Sequence, residues 1–158
     1  LRWSLQQDPR VEVHDRTNIR YLDPQEIGEP AQLIVGDLSF ISLKLVIPAL
    51  VGASSLDAEY LLMVKPQFEI GREDLGAGGV VRDPEDHFHT VLAVIAAAKE
   101  NGLGLKQVAA SPLPGPAGNV EYFVYLGRGA AMPPDEEVRG LVRYAIANGP
   151  AGQEKTEN

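Results

Sequence analysis

The chain has 158 residues, 14 Lys and Arg against 22 Asp and Glu, a formal net charge of -8, and 44% hydrophobic residues. This size and composition are typical of one globular domain with an apolar core. The excess of acidic over basic residues argues against a domain that binds a polyanion by itself, because phosphate binding depends on Lys and Arg. Without cysteine the chain forms neither disulfides nor a thiolate metal site, and the cytoplasm is the expected compartment.

Membrane insertion is not indicated either. The longest apolar stretches, residues 45–53 and 93–98, fall short of the roughly 18 to 20 residues that a spanning helix needs. The chain starts at Leu1 without a recognisable signal peptide, and its first residues resemble the end of a helix that stops at Asp8-Pro9. We therefore expect a fragment of a longer protein.

The first half of the chain alternates between β-type and helical patterns. Residues 10–14 form a short β-type run, followed by a polar turn at residues 15–18 and a helical turn at residues 24–26. The apolar run Ala31 to Gly36 predicts a strand buried on both faces of a parallel sheet. Ser39 or Ser42 can cap a helix that runs to about Val51.

The second half continues the alternation. The sequence predicts strands at residues 59–64, 105–110 and 120–126, an irregular loop at residues 67–82, and helices at residues 84–100 and 134–148. The Asp83-Pro84 pair is typical of a helix start, and Asn101-Gly102 of a helix end. We expect a domain over residues 1–149 and a disordered polar tail over residues 150–158.

This order predicts an α/β fold: a doubly wound, Rossmann-like sheet with helices on both faces. The link between the last two strands, residues 111–119, contains no helical pattern, so the last strand is expected to run antiparallel. Ligands of such sheets bind at the carboxyl ends of the parallel strands.

Three charged residues are predicted to meet at that edge. Asp37 and Lys65 each follow a buried strand, and Glu121 begins the antiparallel return strand. Each has a structural alternative, because Asp37 can cap a helix, Lys65 can be a solvated strand end, and Glu121 can lie on an edge strand. Their convergence favours a catalytic site.

Several segments carry a family resemblance: GDLSFISL, MVKPQFEIG, GGVVRDP and SPLPGPAGNVEYF. With these segments the chain resembles the TlyA (haemolysin A) family, S-adenosylmethionine-dependent rRNA 2'-O-methyltransferases with an FtsJ-like Rossmann domain. The resemblance covers roughly Trp3 to Leu126. It implies that an S4-like RNA-binding domain, the first two strands of the sheet, a glycine-rich cofactor loop and one catalytic lysine lie outside this chain.

The resemblance assigns the remaining three members of a Lys-Asp-Lys-Glu tetrad to Asp37, Lys65 and Glu121. In such a site Lys65 either stabilises the developing ribose alkoxide or acts as a base, and the sequence does not decide between these roles. For the S-adenosylmethionine cofactor we expect contacts from Thr17, Asn18, Asp37 and Leu38. No metal is expected, and the expected partner is ribosomal RNA or a ribosomal subunit, reached through the S4-like domain.

The absence of two central strands has a physical consequence. Residues 10–14 would lack neighbours, and the strand at residues 33–36 would become an exposed apolar edge. We therefore expect the isolated chain to be inactive and to bind the cofactor weakly. Two other classes of function remain open: a membrane-lytic haemolysin, suggested only by the family label, and a non-catalytic protein-interaction fragment.

Overall fold

A computed structural model describes residues 2–71, 73, 75–115 and 117–153, and of Gln153 only the backbone. Its first part is largely irregular. A one-turn helix, α1, covers Trp3–Gln6, and short 3-10 helices cover Ile19–Tyr21 and Pro24–Ile27. The strand predicted at residues 10–14 is absent. A strand needs a hydrogen-bonding neighbour, and within the described residues this segment has none.

Four strands form one mixed sheet. Strand β1 covers Ala31–Gly36, β2 covers Ser54–Val64, β3 covers Leu103–Ala110 and β4 covers Tyr122–Arg128. Their order in the sheet is β1-β2-β4-β3. The β1–β2 pair is parallel, whereas β4 is antiparallel to both of its neighbours. The α/β class and the antiparallel last strand are therefore confirmed.

The helices follow their predicted signals closely. Helix α2 covers Leu43–Gly52, α3 is a single turn at Pro66–Glu69, α4 covers Pro84–Glu100, α5 covers Asp135–Ala147, and α6 covers Pro150–Gln153. Ser42 caps α2 and Asp83 caps α4, each by accepting a backbone N–H two residues later. The predicted disordered tail is wrong at α6, where Ala151 packs into the core. Residues 154–158 lie outside the described residues.

The core lies on one face of the sheet. In the β2–β4 register, Tyr60 is paired with Leu126, Leu62 with Val124, and Val64 with Tyr122. These six side chains are buried and cluster with apolar side chains of α2, α4 and α5. Fully burying one such side chain is worth about 1.5 to 3 kcal/mol, so this face supplies most of the apolar stabilisation.

The opposite face of the sheet is open. Helices on both faces were expected, but in the described residues the long helices α2, α4 and α5 share the core face. Along β1, Leu33 is 60% exposed and Val35 is 68% exposed. The prediction that this strand is buried on both faces is therefore wrong, because no described helix covers this face, whereas the predicted exposed apolar edge is present. An apolar groove of about 480 Å³ runs over this face and is lined by Leu33, Leu61, Gln107, Ala109, Phe123 and Tyr125.

Candidate active site

Strand register places Lys65 beside Glu121. Val64 is the last residue of β2 and is paired with Tyr122, the first residue of β4. Lys65 follows Val64 and Glu121 precedes Tyr122, so the two residues leave the sheet at the same point. On the other side of β2, Gly36 at the end of β1 is level with Leu62, which places Asp37 at the same edge.

Lys65 lies between the two carboxylates. Its Nζ atom is 2.6 Å from Oδ1 of Asp37 and 3.9 Å from Oε1 of Glu121. The side chains of Lys65 and Glu121 are only 10% and 7% exposed, whereas that of Asp37 is 67% exposed. The predicted meeting of the three charged groups is therefore present, with the lysine and the glutamate buried and the aspartate open to solvent.

Two polar side chains extend this cluster. Lys65 Nζ donates a hydrogen bond to Ser39 Oγ at 3.2 Å, and Gln67 Nε2 donates to Glu121 Oε1 at 3.1 Å. The other amide atom of Gln67, Oε1, is buried without a hydrogen-bond partner among the described residues. Lys65 thus has three oxygen atoms around it, and Glu121 is oriented from a second side.

A cleft of about 390 Å³ opens beside this cluster. Its lining comprises Ser39, Phe40, Lys65, Gln67, Phe68, Leu75, Gly79, Ala117, Asn119 and Glu121. Two of its polar residues, Lys65 and Glu121, are the buried charges described above. The cleft is therefore lined by apolar side chains together with two buried charged side chains, and ligand sites commonly combine mostly apolar lining with a few polar groups.

Phe40 is the most unusual residue of this cleft. It is 90% exposed and has a φ of 63°, in the left-handed region that bulky side chains rarely adopt. Its ring lies 5.0 Å from that of Phe68. An exposed aromatic ring held in a strained backbone conformation points to a binding role. A role for Phe40 was not predicted from the sequence, because residue type alone does not reveal φ.

One wall of the cleft is fixed by a buried asparagine. Asn119 Oδ1 accepts a hydrogen bond from the Val81 backbone N–H, and its Nδ2 donates to the Gly79 carbonyl, both at 2.9 Å. On the far side, His87 Nε2 donates to the Val81 carbonyl at 2.9 Å, while His87 Nδ1 bonds with the Tyr122 hydroxyl at 2.7 Å. Burial raises the pKa of Tyr122. Asn119 thus holds the segment 79–81 directly, and Tyr122 holds it through His87.

The expected cofactor residues do not share one cavity. The Asn18 side chain accepts from the Arg20 backbone N–H, and Thr17 Oγ1 donates to the Asp15 carbonyl at 3.4 Å, so both are engaged within their own turn. Leu38 lines a largely apolar groove of about 580 Å³ beside β1, which Thr17, Asn18 and Asp37 do not line. Asp37 and Leu38 are adjacent in sequence at the end of β1, and their contact with a cofactor stays a prediction.

In the part of the chain that the structure describes, no three His, Asp or Glu residues are grouped so that they could hold a metal ion. His87, one of two neighbouring histidines on α4, is buried with both ring nitrogens hydrogen-bonded. Of the helices in the described ranges, none is long and apolar enough to cross a membrane.

Residues 1–128 match the model of the FtsJ-like methyltransferase family, so the chain belongs to this family. Its members generally use S-adenosylmethionine, and the resemblance seen in the sequence is confirmed.

Individual relatives agree with this assignment. The 16S/23S rRNA (cytidine-2'-O)-methyltransferase TlyA of Mycobacterium tuberculosis is 56% identical over 126 residues, 80% of this chain and 47% of that protein. The Bacillus subtilis protein named "Putative rRNA methyltransferase YqxC" is 38% identical over 152 residues, 92% of this chain and 54% of that protein. A solved structure, "Putative hemolysin from Streptococcus thermophilus", has a TM-score of 0.83 at 32% identity and covers 99% of this chain and 56% of that one. The chain thus spans about half the length of these relatives.

Proposed function

We propose that this chain is the catalytic part of an S-adenosylmethionine-dependent methyltransferase that modifies the 2'-hydroxyl of cytidine in ribosomal RNA. The observation that carries the proposal is the position of Lys65 between Asp37 and Glu121 at the edge of an open cleft. The substrate class is supported by the Mycobacterium tuberculosis relative, whose name states this reaction.

Methylation of a ribose hydroxyl requires a group that assists a weak nucleophile. When bound, S-adenosylmethionine supplies an electrophilic methyl group on its sulfonium. The ribose oxygen bonds to that methyl group as the methyl–sulfur bond breaks, which leaves a neutral thioether. The hydroxyl proton passes to a base or to water, and negative charge develops on the oxygen as the proton leaves. Lys65 stands where an ammonium group can hold and stabilise that oxygen. Asp37 and Ser39 orient the lysine, while Glu121 lies on its other side.

The rest of the cleft suits a nucleotide. The exposed Phe40 ring offers a flat apolar surface, and RNA bases that leave their stack commonly pack on aromatic side chains. Phe40 lies three residues after Asp37 and shares the cleft with Lys65. We infer that the target base stacks on Phe40 while its ribose faces Lys65.

The cofactor and most of the RNA affinity require further protein. Asp37 and Leu38 provide one side of a cofactor site, and the open sheet face and free edge of β1 leave room for additional strands and helices. A net charge of -8 opposes RNA binding. We propose that the complete enzyme supplies the other side of the cofactor site and an S4-like RNA-binding domain, and that it acts in the cytoplasm.

The test uses the full-length protein and ribosomal subunits that lack the modification. Transfer of a radiolabelled methyl group is compared for wild type, Lys65→Ala and Lys99→Ala. Lys99 is an exposed lysine paired with Asp135 on the helical side of the molecule, so it controls for loss of a surface charge. Loss of transfer in K65A alone supports the proposal, and full activity of K65A contradicts it.

A second experiment concerns the 158 residues alone. With only one side of a cofactor site, this piece is expected neither to methylate RNA nor to bind S-adenosylmethionine tightly. Isothermal titration calorimetry on the isolated chain measures this directly. Micromolar binding would contradict the expectation.

Membrane lysis is the alternative suggested by the name of the Streptococcus thermophilus structure and by the Brachyspira hyodysenteriae relative, "Hemolysin A". The acidic charge opposes binding to anionic lipids. Dye leakage from anionic liposomes treated with the full-length protein would favour lysis.

The other alternative is a non-catalytic interaction fragment, which the open apolar face supports. Methyl transfer that depends on Lys65 would exclude it.

A further inference from the structure

Glu69 joins the two segments that carry Asp37 and Lys65. It is the last residue of α3, four positions after Lys65. Its Oε1 atom accepts a hydrogen bond from the Leu43 backbone N–H at 2.7 Å, and its Oε2 atom accepts from the Ser42 hydroxyl at 2.6 Å. Ser42 and Leu43 begin helix α2, five and six positions after Asp37.

This arrangement is a helix cap supplied from another part of the chain. Helix α2 has no acidic residue in its own first turn. The free N–H groups and the positive end of the helix dipole favour a carboxylate there. Glu69 fills this place from 26 residues away in sequence. The same side chain that stabilises α2 therefore fixes where α3 lies.

The contact matters for the site because the β1–β2 register fixes the backbone only up to the strand ends at Gly36 and Val64. Beyond these ends the two segments otherwise meet through adjustable side-chain contacts: the Lys65–Asp37 ion pair, the Lys65–Ser39 hydrogen bond and the Phe40–Phe68 ring contact. Lys65 has a long flexible side chain and Asp37 is largely exposed, so their ion pair by itself fixes no backbone position. By contrast, α2 is anchored in the core through Leu43, Val46 and Ile47. Glu69 is the link from this anchored helix to the segment that begins at Lys65.

We propose that Glu69 is a positioning residue, which holds the Lys65 segment against the start of α2 and thereby sets the distance between Lys65 and Asp37. This inference rests on the proposed function, because it concerns the geometry of the same site. Misplacement of a reacting group by about 1 Å can lower the rate about 100-fold. Glu69 is thus expected to affect kcat rather than KM.

The length of the side chain, and not its charge, should decide the outcome. In Glu69→Gln, the amide oxygen can still accept from the Leu43 N–H, and the amide nitrogen can donate to the Ser42 hydroxyl. Glu69→Asp keeps the charge but is one methylene shorter, and Glu69→Ala removes both contacts. Asp83→Ala is the matched control, because Asp83 caps α4 within its own segment and is absent from the cleft lining.

The experiment measures kcat and KM for methyl transfer to ribosomal subunits with the full-length variants, well below their unfolding temperatures. E69A is expected to lower kcat about 10- to 100-fold and to leave KM within about threefold. E69Q and D83A are expected to stay within about threefold of wild type, and E69D to fall below E69Q. If E69A does not fold, the order of E69Q and E69D decides.

Wild-type kcat in E69A, an E69D enzyme as active as E69Q, or an equal loss in D83A would overturn the positioning role. Lys65→Ala in the same assay distinguishes a failure of the Glu69 inference from a failure of the proposed function. An inactive K65A with a fully active E69A overturns only the role of Glu69. An active K65A overturns the proposed function together with this inference.

Discussion

Lys65 Nζ lies 2.6 Å from Asp37 Oδ1 but 3.9 Å from Glu121 Oε1, so the lysine is tightly paired with the exposed carboxylate and loosely with the buried one. We therefore expect the two acids to have separable tasks. In the proposed site Asp37 sets the direction of the lysine, whereas Glu121 accepts a hydrogen bond from Gln67 and is buried in the cleft wall.

Substitution of the two acids should separate activity from stability. Asp37→Asn is expected to lower kcat about 100-fold with little change in the free energy of unfolding, because Asp37 is exposed. Glu121→Ala should also lower kcat, and should lower the free energy of unfolding by about 1 to 3 kcal/mol, because the Gln67 amide loses its acceptor. Methyl-transfer assays and urea unfolding measure both. An E121A protein as stable as D37N would contradict this division of tasks.

Phe40→Ala should weaken RNA binding. Stacking of a base on an aromatic ring is worth about 1 to 3 kcal/mol, so the KM for RNA should rise by about 5- to 150-fold. Stability should not fall, because the ring is exposed and its backbone strained. Tyr144→Ala is the control, since Tyr144 is an exposed aromatic residue on α5. Equal KM values for F40A and Y144A would rule out stacking by Phe40.

Asn119→Ala should loosen the wall of the cleft. The change leaves the Val81 N–H and the Gly79 carbonyl without their partner, which costs about 1 to 3 kcal/mol of unfolding free energy. Hydrogen exchange at the Val81 amide should accelerate. Asn101→Ala, which removes one hydrogen bond to Ala97 at the end of α4, is the matched control. An unchanged exchange rate at Val81 in N119A would show that Asn119 does not hold this segment.

The pH dependence of stability tests the environment of Glu69. Burial raises the pKa of the Glu69 carboxyl above its usual value of 4.5, although Ser42, the Leu43 N–H and Lys44 offset part of this effect. The folded protein then keeps a proton that the unfolded chain has released, so the free energy of unfolding falls as pH rises from about 4.5 through the raised pKa. Glu69→Gln lacks this step.

Urea unfolding of the full-length wild type and E69Q, from about pH 4.5 upward, measures the difference. The stability of wild type relative to E69Q should decrease with rising pH and then level off. A relative stability that stays constant or increases would contradict the raised pKa.

Much of the fold was predictable because its signals are local. Strand β1 at Ala31–Gly36 and the Asp83-Pro84 start of α4 lie where the sequence predicts them, although β1 is not buried on both faces. The convergence of Asp37, Lys65 and Glu121 was predictable for the same reason, since each charge abuts a strand end. The predictions that failed depended on contacts with distant residues. Residues 10–14 have a β-type composition, but no strand among the described residues pairs with them. The segment Pro150–Gln153, predicted to be a disordered tail, forms a helix whose Ala151 packs into the core.

The side chains that organise the site could not be predicted in the same way. Glu69 and Asn119 act on segments that are 26 and 38 residues away in sequence. Such contacts depend on how loops meet in three dimensions, and a polar residue in a loop carries no local signal of its distant partner. The sequence offered one indication that Glu69 belongs to the site, because it lies only four residues after Lys65 in KPQFE.

The position of the transferred methyl group tests the ribose mechanism itself. Ribosomal RNA treated with the full-length enzyme and S-adenosylmethionine is digested to nucleosides and analysed by mass spectrometry. If Lys65, Asp37 and Glu121 act on a ribose hydroxyl, the product is 2'-O-methylcytidine and is missing with Lys65→Ala. A methyl group on a base, or 2'-O-methylcytidine formed at the wild-type rate by K65A, would contradict ribose methylation that depends on Lys65.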